Sequence, residues 1–206
     1  GFKTPIPRIR GLAPKENIKA WVDRKAFIHN LGHATAAYYG HFLHNDAVYM
    51  YEVLDDANVL NFTREVMIQS ADILLSAYPG DYSHMELEDH IEDLLARFRN
   101  RFLKDTVFRV GHDLGRKLSS DDRFMGAVKL GINYGKPYDK ILRAMSYGFF
   151  FRVRDENGSC FEADLALLEA LSSDFEKTLV ENLKFNSESD SGIIGELKKI
   201  MNHINV

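Results

Sequence analysis

Helical periodicity dominates the order of apolar and polar residues along the chain. Apolar residues recur every three to four positions from near Pro14 to about Gly40, which predicts a long first helix. The same spacing, interrupted by turn signals, predicts the remaining helices. They run over about 56–78, 83–102, 121–134 and 137–150, and start again near residues 161, 174 and 193. The predicted fold class is therefore mainly α.

Two segments depart from this regular pattern. Residues 105–118 contain Gly111 and Gly115, so we expect a short helix followed by a loop there. Residues 149–153 are a run of aromatic and β-branched residues, Phe-Phe-Phe-Arg-Val, and could form a short strand. A Ser-x-x-Glu capping box, Ser83 with Glu86, marks the start of the third helix.

The domain organisation follows from the first residues and from the overall length. Residues 1–12 include Pro5, Pro7 and Gly11, which favours an extended linker between domains, although a frayed terminus has the same composition. Residues 13–206 are long enough for one sizeable core, since 45% of the chain is apolar. We therefore expect a linker over 1–12 and one helical domain over 13–206.

Composition excludes several classes of function. A net charge of −4 argues against nucleic acid or an anionic membrane as a partner. One cysteine cannot form an internal disulfide, and no apolar run reaches the length of a membrane span, so a cytoplasmic protein is expected. The sequence contains no Gly-x-Gly, and hence no recognisable dinucleotide or nucleotide-phosphate loop of its own.

Four polar residues interrupt the apolar first helix. At about 100° per residue from Lys25, His29, His33 and Asn30 fall at roughly 40°, 80° and 140°, and so share one arc. A helix this apolar is usually packed over most of its surface. Desolvation would favour the neutral amine of Lys25, which is a competent general base near neutral pH. Asn30 could donate to a developing alkoxide, and His33 could contact a substrate hydroxyl.

Two other interpretations of this helix remain open. Lysine, asparagine and histidine often lie on a solvated helix face without any catalytic role. His29 and His33 also have the i, i+4 spacing of a helical zinc pair, and His41 with His44 could make a similar pair. The first pair lacks the glutamate of a His-Glu-x-x-His motif, and no third ligand stands out.

The pattern Lys25-x4-Asn30-x2-His33 resembles the signature of the polyol-specific long-chain dehydrogenases, also called the mannitol dehydrogenase family. The surrounding residues 24–34 are most similar to the mannitol-1-phosphate 5-dehydrogenase branch, and a second block over residues 97–123 agrees with it. The resemblance covers residues 2 to about 150. It implies the helical C-terminal domain of a two-domain enzyme whose N-terminal Rossmann domain, absent from this chain, binds NAD.

The resemblance also implies the roles of particular residues. Lys25 would be the general acid/base without a metal, Asn30 would polarise the reacting oxygen, and His33 would place the substrate. Arg109 and Lys117 match substrate-contacting positions, and Arg116 could assist them in holding an anionic group such as a phosphate. His112 stands where this branch often has an arginine, so its grip on a phosphate would be weaker and pH-dependent.

The expected reaction is NAD-dependent hydride transfer on a sugar alcohol phosphate, that is, between mannitol 1-phosphate and fructose 6-phosphate. A hexuronate reductase acting on fructuronate or tagaturonate is the alternative within the class, because a carboxylate could use the same cations. A non-catalytic helical module that docks a partner is the alternative from another class. Without a cofactor-binding half, this chain alone is expected to be inactive.

Overall fold

The computed structural model describes residue 7, residues 9–10 and residues 14–204. Most of the predicted linker, residues 1–12, lies outside the described residues. The described chain is mainly helical and contains no strand, which confirms the predicted fold class. None of its helices is both long enough and apolar enough to cross a membrane.

The helices follow one another through short turns. In chain order they are α1 (Ile18–Arg24), a π-helical segment (Lys25–Asn30), α2 (Leu31–Leu43), α3 (Met50–Leu54), α4 (Ala57–Ala77), α5 (His84–Phe98), a 3₁₀ turn (Arg101–Leu103), α6 (Val107–Gly111), α7 (Leu114–Lys117), α8 (Arg123–Asn133), α9 (Asp139–Gly148), α10 (Glu162–Ser173), α11 (Phe175–Glu181) and α12 (Ser191–Ile204).

Helix α2 is the centre of the fold. It contacts α3, α4, α6 and α9, and most of its residues are buried. A helix that is apolar all round has to be enclosed in this way, because no face of it can be left to water. Its Tyr38 is completely buried and donates from its hydroxyl to the Gly111 carbonyl at 3.1 Å. This bond ties the centre of the fold to α6, at the start of the second sequence block.

Two glycines allow neighbouring helices to approach α2 closely. A Cβ atom on Gly32 would lie 2.4 Å from the sulfur of Met67 in α4, and one on Gly40 would lie 2.6 Å from Cβ of Val53 in α3. A real side chain cannot be that close, so both positions need a residue without a Cβ. The space beside Gly32 is therefore filled by the side chain of Met67 from α4.

The structure corrects several predicted boundaries. The capping box of Ser83 and Glu86 forms at the start of α5, but that helix ends at Phe98 and the chain continues into the 3₁₀ turn. The first helix runs three residues beyond Gly40, α3 had not been predicted, and residues 105–118 hold two short helices, α6 and α7.

The predicted strand over residues 149–153 is wrong. The amides of Phe149, Phe150 and Phe151 donate to carbonyl groups three residues earlier, in a tight continuation of α9. Their rings pack within the fold, and Phe151 lies edge-on to Tyr38 with the centroids 5.1 Å apart. Aromatic residues favour strands only where a partner strand exists, and the described residues offer none.

The start of α7 is fixed by a buried carboxylate from α10. Asp164 accepts the backbone N–H groups of Asp113 at 2.9 Å and Leu114 at 2.7 Å. Burial raises the pKa of Asp164, and these two hydrogen bonds oppose that rise by favouring the charged form. Asp113 itself has φ +70°, so the turn between α6 and α7 is sharp. Arg116 and Lys117 are thereby held in a defined position.

Replacing Gly111 by alanine is predicted to destabilise the domain. The new Cβ would lie 2.0 Å from the Phe151 ring, which is buried and cannot move aside freely. Overpacking of this kind costs about 1–3 kcal/mol of the free energy of unfolding. Urea denaturation of Gly111→Ala and the wild type would measure the difference.

Gly115→Ala is the matched control, four residues further along. Nothing lies within 4 Å of its added Cβ, and the residue is helical. Alanine should be neutral there or stabilising by up to about 1 kcal/mol. Equal losses of stability in the two variants would contradict the packing argument.

Candidate functional site

The candidate catalytic residues lie on a π-helical segment. The segment begins at Lys25 and ends at Asn30, within an otherwise α-helical rod. The amide of Leu31 bonds to the carbonyls of Ala26, five residues back, and of Ile28. A helix with this i→i+5 pattern has more residues in each turn than an α-helix, so each residue turns through a smaller angle. The segment therefore brings the directions of Lys25 and Asn30 closer together than the roughly 140° that regular α-helical geometry would give.

Two side chains from other helices donate to carbonyl groups of this π segment. Ser70 of α4 donates from its hydroxyl to the Phe27 carbonyl at 2.7 Å. Arg123 of α8 donates from Nη1 to the Asn30 carbonyl at 3.2 Å. Ser70 is completely buried, and Arg123 is 9% exposed. The wide turn is thus held from two directions by buried donors.

Lys25 is exposed to solvent, while Asn30 and His33 are half-buried. The sequence had predicted a packed setting for this polar stripe, and the described residues partly bury three of its four members, His29 included. Any desolvation of the Lys25 amine has to come from a substrate or from protein that covers this face. The residues on the same rod that lead to Lys25, Ile18 and Val22, are exposed as well, at 67% and 57%.

One carboxylate connects His33 to Arg109. Asp105 Oδ2 lies 3.4 Å from His33 Nε2, and Asp105 Oδ1 accepts from Arg109 Nε at 2.5 Å. The His33 ring stacks on Phe98 with centroids 4.2 Å apart. Its Nε2 atom is buried and makes no hydrogen bond within the described residues. The structure therefore brings together His33 and Arg109, which are far apart in sequence, on either side of the Asp105 carboxylate.

Asp105 had no role in the sequence analysis. Burial by itself would raise its pKa, but the neighbouring His33 and Arg109 outweigh burial and hold the pKa below its ordinary value. The carboxylate is therefore charged at neutral pH and keeps both neighbours in place. A sequence signal for part of this contact existed, because Asp105 and Arg109 have the i, i+4 spacing of a helical ion pair.

A second set of ion pairs connects Asn30 to Arg116. Arg123, which bonds to the Asn30 carbonyl, also donates from Nε to Asp122 at 2.7 Å. Asp122 lies 3.3 Å from Arg116, and Arg116 donates to Asp113 at 2.6 Å. Arg116 is exposed, so it can reach a ligand, but an anion would have to compete with two carboxylates for its guanidinium group.

Lys117, which the resemblance implies is a substrate-contacting residue, is almost completely buried. It is 6% exposed, and its ammonium group donates to the Val110 carbonyl at 2.7 Å and to the His112 carbonyl. Burial, helped by the nearby charges of Arg123 and Arg116, lowers the pKa of Lys117 to about 8. Through these two bonds Lys117 supplies donors to backbone carbonyl groups at the C-terminal end of α6.

His112 is half-buried beside Lys117. Its Nδ1 donates to the Phe108 carbonyl at 2.9 Å, and its ring stacks on Phe108 with centroids 4.9 Å apart. Of the residues predicted to hold an anion, Arg109 and Arg116 are exposed, whereas His112 and Lys117 are fixed by backbone carbonyls.

Arg109 also lines a groove of about 800 Å³. Arg152 and Arg154 lie along the same groove, together with the carboxylates of Asp46, Asp155 and Glu156. None of Lys25, Asn30 and His33 lines it. The groove therefore lies next to the candidate catalytic residues, with Arg109 at the boundary, and its charges are mixed.

The histidines of the first helix do not form a metal centre with other described residues. No group of three or more His, Cys, Asp or Glu side chains is arranged to hold a metal ion within the part of the chain that the structure describes. His44 instead pairs with Asp56 at 2.8 Å, and His41 Nε2 accepts from the Arg152 amide at 3.3 Å.

Comparison with known proteins shows the family to which the chain is similar. Residues 17–186 match the family model described as the mannitol dehydrogenase C-terminal domain, a longer extent than the 150 residues that the sequence suggested. A mannitol-1-phosphate 5-dehydrogenase from Pyrenophora tritici-repentis is 33% identical over 71% of the chain and 36% of its own length. One from Phaeosphaeria nodorum is 30% identical over 94% of the chain and 48% of its own length. The chain thus spans less than half the length of these relatives.

Solved structures share the fold at low identity. The Pseudomonas fluorescens mannitol 2-dehydrogenase, in a ternary complex with NAD and D-mannitol, matches with a TM-score of 0.69 and 18% identity. The match covers 93% of this chain and 39% of that one. A substrate-free D-sorbitol dehydrogenase matches with a TM-score of 0.67 over 91% of the chain and 39% of that one, again at 18% identity.

The half-buried His29 is predicted to make stability depend on pH. Burial, reinforced by the positive charges of His33, Arg97, His90 and Lys25, lowers its pKa from 6.5 to about 4. The unfolded chain therefore binds a proton between these values while the folded chain does not, so the free energy of unfolding falls as the pH drops from about 6.5 to about 4. Since His29 is only half-buried, its share is of order 2 kcal/mol.

Urea titrations of the wild type and His29→Asn at several pH values would isolate this share. The variant should lose less stability on acidification than the wild type. His84→Asn is the control, because the His84 side chain is 61% exposed. A His29→Asn variant with an unchanged pH slope would refute the assignment.

Proposed function

The chain belongs to the mannitol dehydrogenase C-terminal domain family, and we propose that it is the catalytic half of an NAD-dependent polyol dehydrogenase acting on a sugar alcohol phosphate. The match over residues 17–186 supports the family. The relatives named mannitol-1-phosphate 5-dehydrogenase support the substrate class. The observation that carries the proposal is the π segment, which begins at Lys25, ends at Asn30 and is followed on the same rod by the half-buried His33.

In this proposal the chain's own residues handle the proton and the substrate. The neutral Lys25 amine accepts the hydroxyl proton of the alcohol as its carbon is oxidised, and returns it in the reverse direction. The Asn30 amide donates to the developing alkoxide oxygen. The half-buried His33 ring contacts a further hydroxyl of the substrate, and Asp105, 3.4 Å from Nε2, holds the ring in place. NAD supplies the hydride acceptor, and the sequence has no Gly-x-Gly-x-x-Gly loop to bind its pyrophosphate.

Cofactor binding is therefore assigned to a part of the enzyme that this chain does not contain. The relatives are more than twice as long as the segment they share with it. A Rossmann domain placed over the exposed face of α1 and the π segment would desolvate Lys25, which the described residues leave open to water. Desolvation would in turn favour the neutral amine that general-base chemistry requires.

The anionic end of the substrate is assigned to Arg109, with Arg116 in support. Both guanidinium groups are exposed and held by carboxylates: Arg109 by Asp105, and Arg116 by Asp113 and Asp122. A phosphate that contacts Arg109 would occupy the same neighbourhood as His33, because both flank one carboxylate. Lys117 and His112 would act on the substrate less directly, by shaping the end of α6.

Lys25→Ala in the complete protein is predicted to lower kcat by about 10²–10⁴-fold, the usual contribution of a general acid/base. The fold should persist, since Lys25 is exposed. Mannitol 1-phosphate oxidation would be followed through NADH absorbance. Lys177→Ala, an exposed lysine on α11, is the control and should keep full activity. Near-normal turnover of Lys25→Ala would remove Lys25 from its role, and NAD-linked turnover by the 206-residue chain alone would contradict the two-domain proposal.

Arg109→Gln is predicted to raise KM for the phosphorylated substrate by about tenfold or more, because a charge-assisted bond is lost, while kcat changes less. The KM for unphosphorylated mannitol should be nearly unaffected. Arg64→Gln, which removes a surface ion pair with Glu92, is the control.

Faster reduction of fructuronate or tagaturonate than of fructose 6-phosphate by the wild type would assign the enzyme to hexuronates.

A further inference from the structure

We infer that Ser70 and Arg123 are positioning residues that hold the π segment in register and thereby set the directions of Lys25 and Asn30. The inference rests on the proposed function for its catalytic part. Its structural part stands on two hydrogen bonds, from the Ser70 hydroxyl to the Phe27 carbonyl and from Arg123 Nη1 to the Asn30 carbonyl.

The backbone pattern explains why the segment needs Ser70. In a regular α-helix the amide of Leu31 would bond to the carbonyl of Phe27, four residues back. Here that amide bonds to Ala26 and Ile28 instead. The Phe27 carbonyl thus loses its α-helical partner in a place where an unpaired polar group is costly. The buried Ser70 hydroxyl supplies a donor at 2.7 Å and so favours the wide turn over the regular one.

Arg123 acts at the other end of the segment. Its guanidinium group is nine-tenths buried and is oriented by Asp122, which accepts from Nε at 2.7 Å while Nη1 reaches the Asn30 carbonyl. A planar, fork-shaped donor can bridge these two acceptors, which a lysine ammonium cannot match in geometry. The backbone carbonyl of Asn30, whose side-chain amide is assigned to the substrate, is thus held by a donor from α8.

The consequence for catalysis is geometric. If the segment relaxed to a regular α-helix, the directions of residues five apart would diverge to roughly 140°. Lys25 and Asn30 could then no longer contact the same substrate oxygen. A misplacement of about 1 Å at a reacting group can cost about 10²-fold in rate, so a loosened segment should reduce kcat even though neither Ser70 nor Arg123 touches substrate.

The test compares two buried serines in the complete protein. Ser70→Ala and Ser146→Ala each delete a completely buried hydroxyl that donates to a backbone carbonyl, at 2.7 Å and 2.9 Å, but only the first carbonyl belongs to the π segment. We expect Ser70→Ala to lower the melting temperature at least as much as Ser146→Ala, because the Leu142 carbonyl keeps its amide partner within α9. Ser70→Ala should also lower kcat by about tenfold or more with a smaller change in KM, and should speed hydrogen exchange in peptides spanning 25–31. Ser146→Ala should do neither.

Arg123→Gln gives a second variant at the other end of the segment, with Arg64→Gln as its surface control. Arg123→Lys, which keeps the charge but not the fork, should fail to restore kcat. Equal kcat values in Ser70→Ala and Ser146→Ala would overturn the positioning role. A wild type without polyol turnover would instead refute the proposed function, and unchanged exchange over 25–31 in Ser70→Ala would then overturn the structural part as well.

Discussion

Hydrogen bonding of backbone carbonyls in the first helix is the constraint on which the candidate site depends. A π segment inside a packed rod disturbs the regular ladder, and each carbonyl there has to find a donor. Ser70 and Arg123 supply donors to Phe27 and Asn30 from two neighbouring helices. The local irregularity is therefore stabilised by the tertiary structure around it, in a segment that carries Lys25 and Asn30 at its two ends.

The polar residues around this segment form two connected sets rather than separate surface charges. Asp105 joins His33 to Arg109, and Asp122 joins Arg123 to Arg116. In each set a carboxylate stands between a group on or against the first helix and an exposed arginine. An anionic ligand that displaced Asp105 from Arg109 would also change the contact between Asp105 and His33. Displacing Asp122 from Arg116 would likewise change its contact with Arg123. In the proposed function, these contacts would couple substrate binding to the placement of the catalytic groups.

The exposure of Lys25 fits a domain that supplies half of an active site. A general base works best in a partly desolvated setting, and the family's relatives carry as much chain again as they share with this one. Apolar residues on the approach to this face, Ile18 and Val22, are exposed too. The interior of the domain is closely packed around α2, so the described residues can hold the site rigid. In the proposed function, water would have to be excluded from Lys25 by protein or substrate that covers this face.

Periodicity, capping and motif spacing are local properties, so the helical class, the capping box at Ser83 and the family signature could be predicted from the residues alone. The sequence could not determine the π register, since the donors to Phe27 and Asn30 come from residues 43 and 93 positions away. The same holds for Asp105 beside His33 and for the burial of Lys117. The strand predicted at 149–153 was wrong for the same reason, since it depended on distant parts of the chain. A strand needs a partner strand, and in the tertiary structure these phenylalanines pack into the core instead.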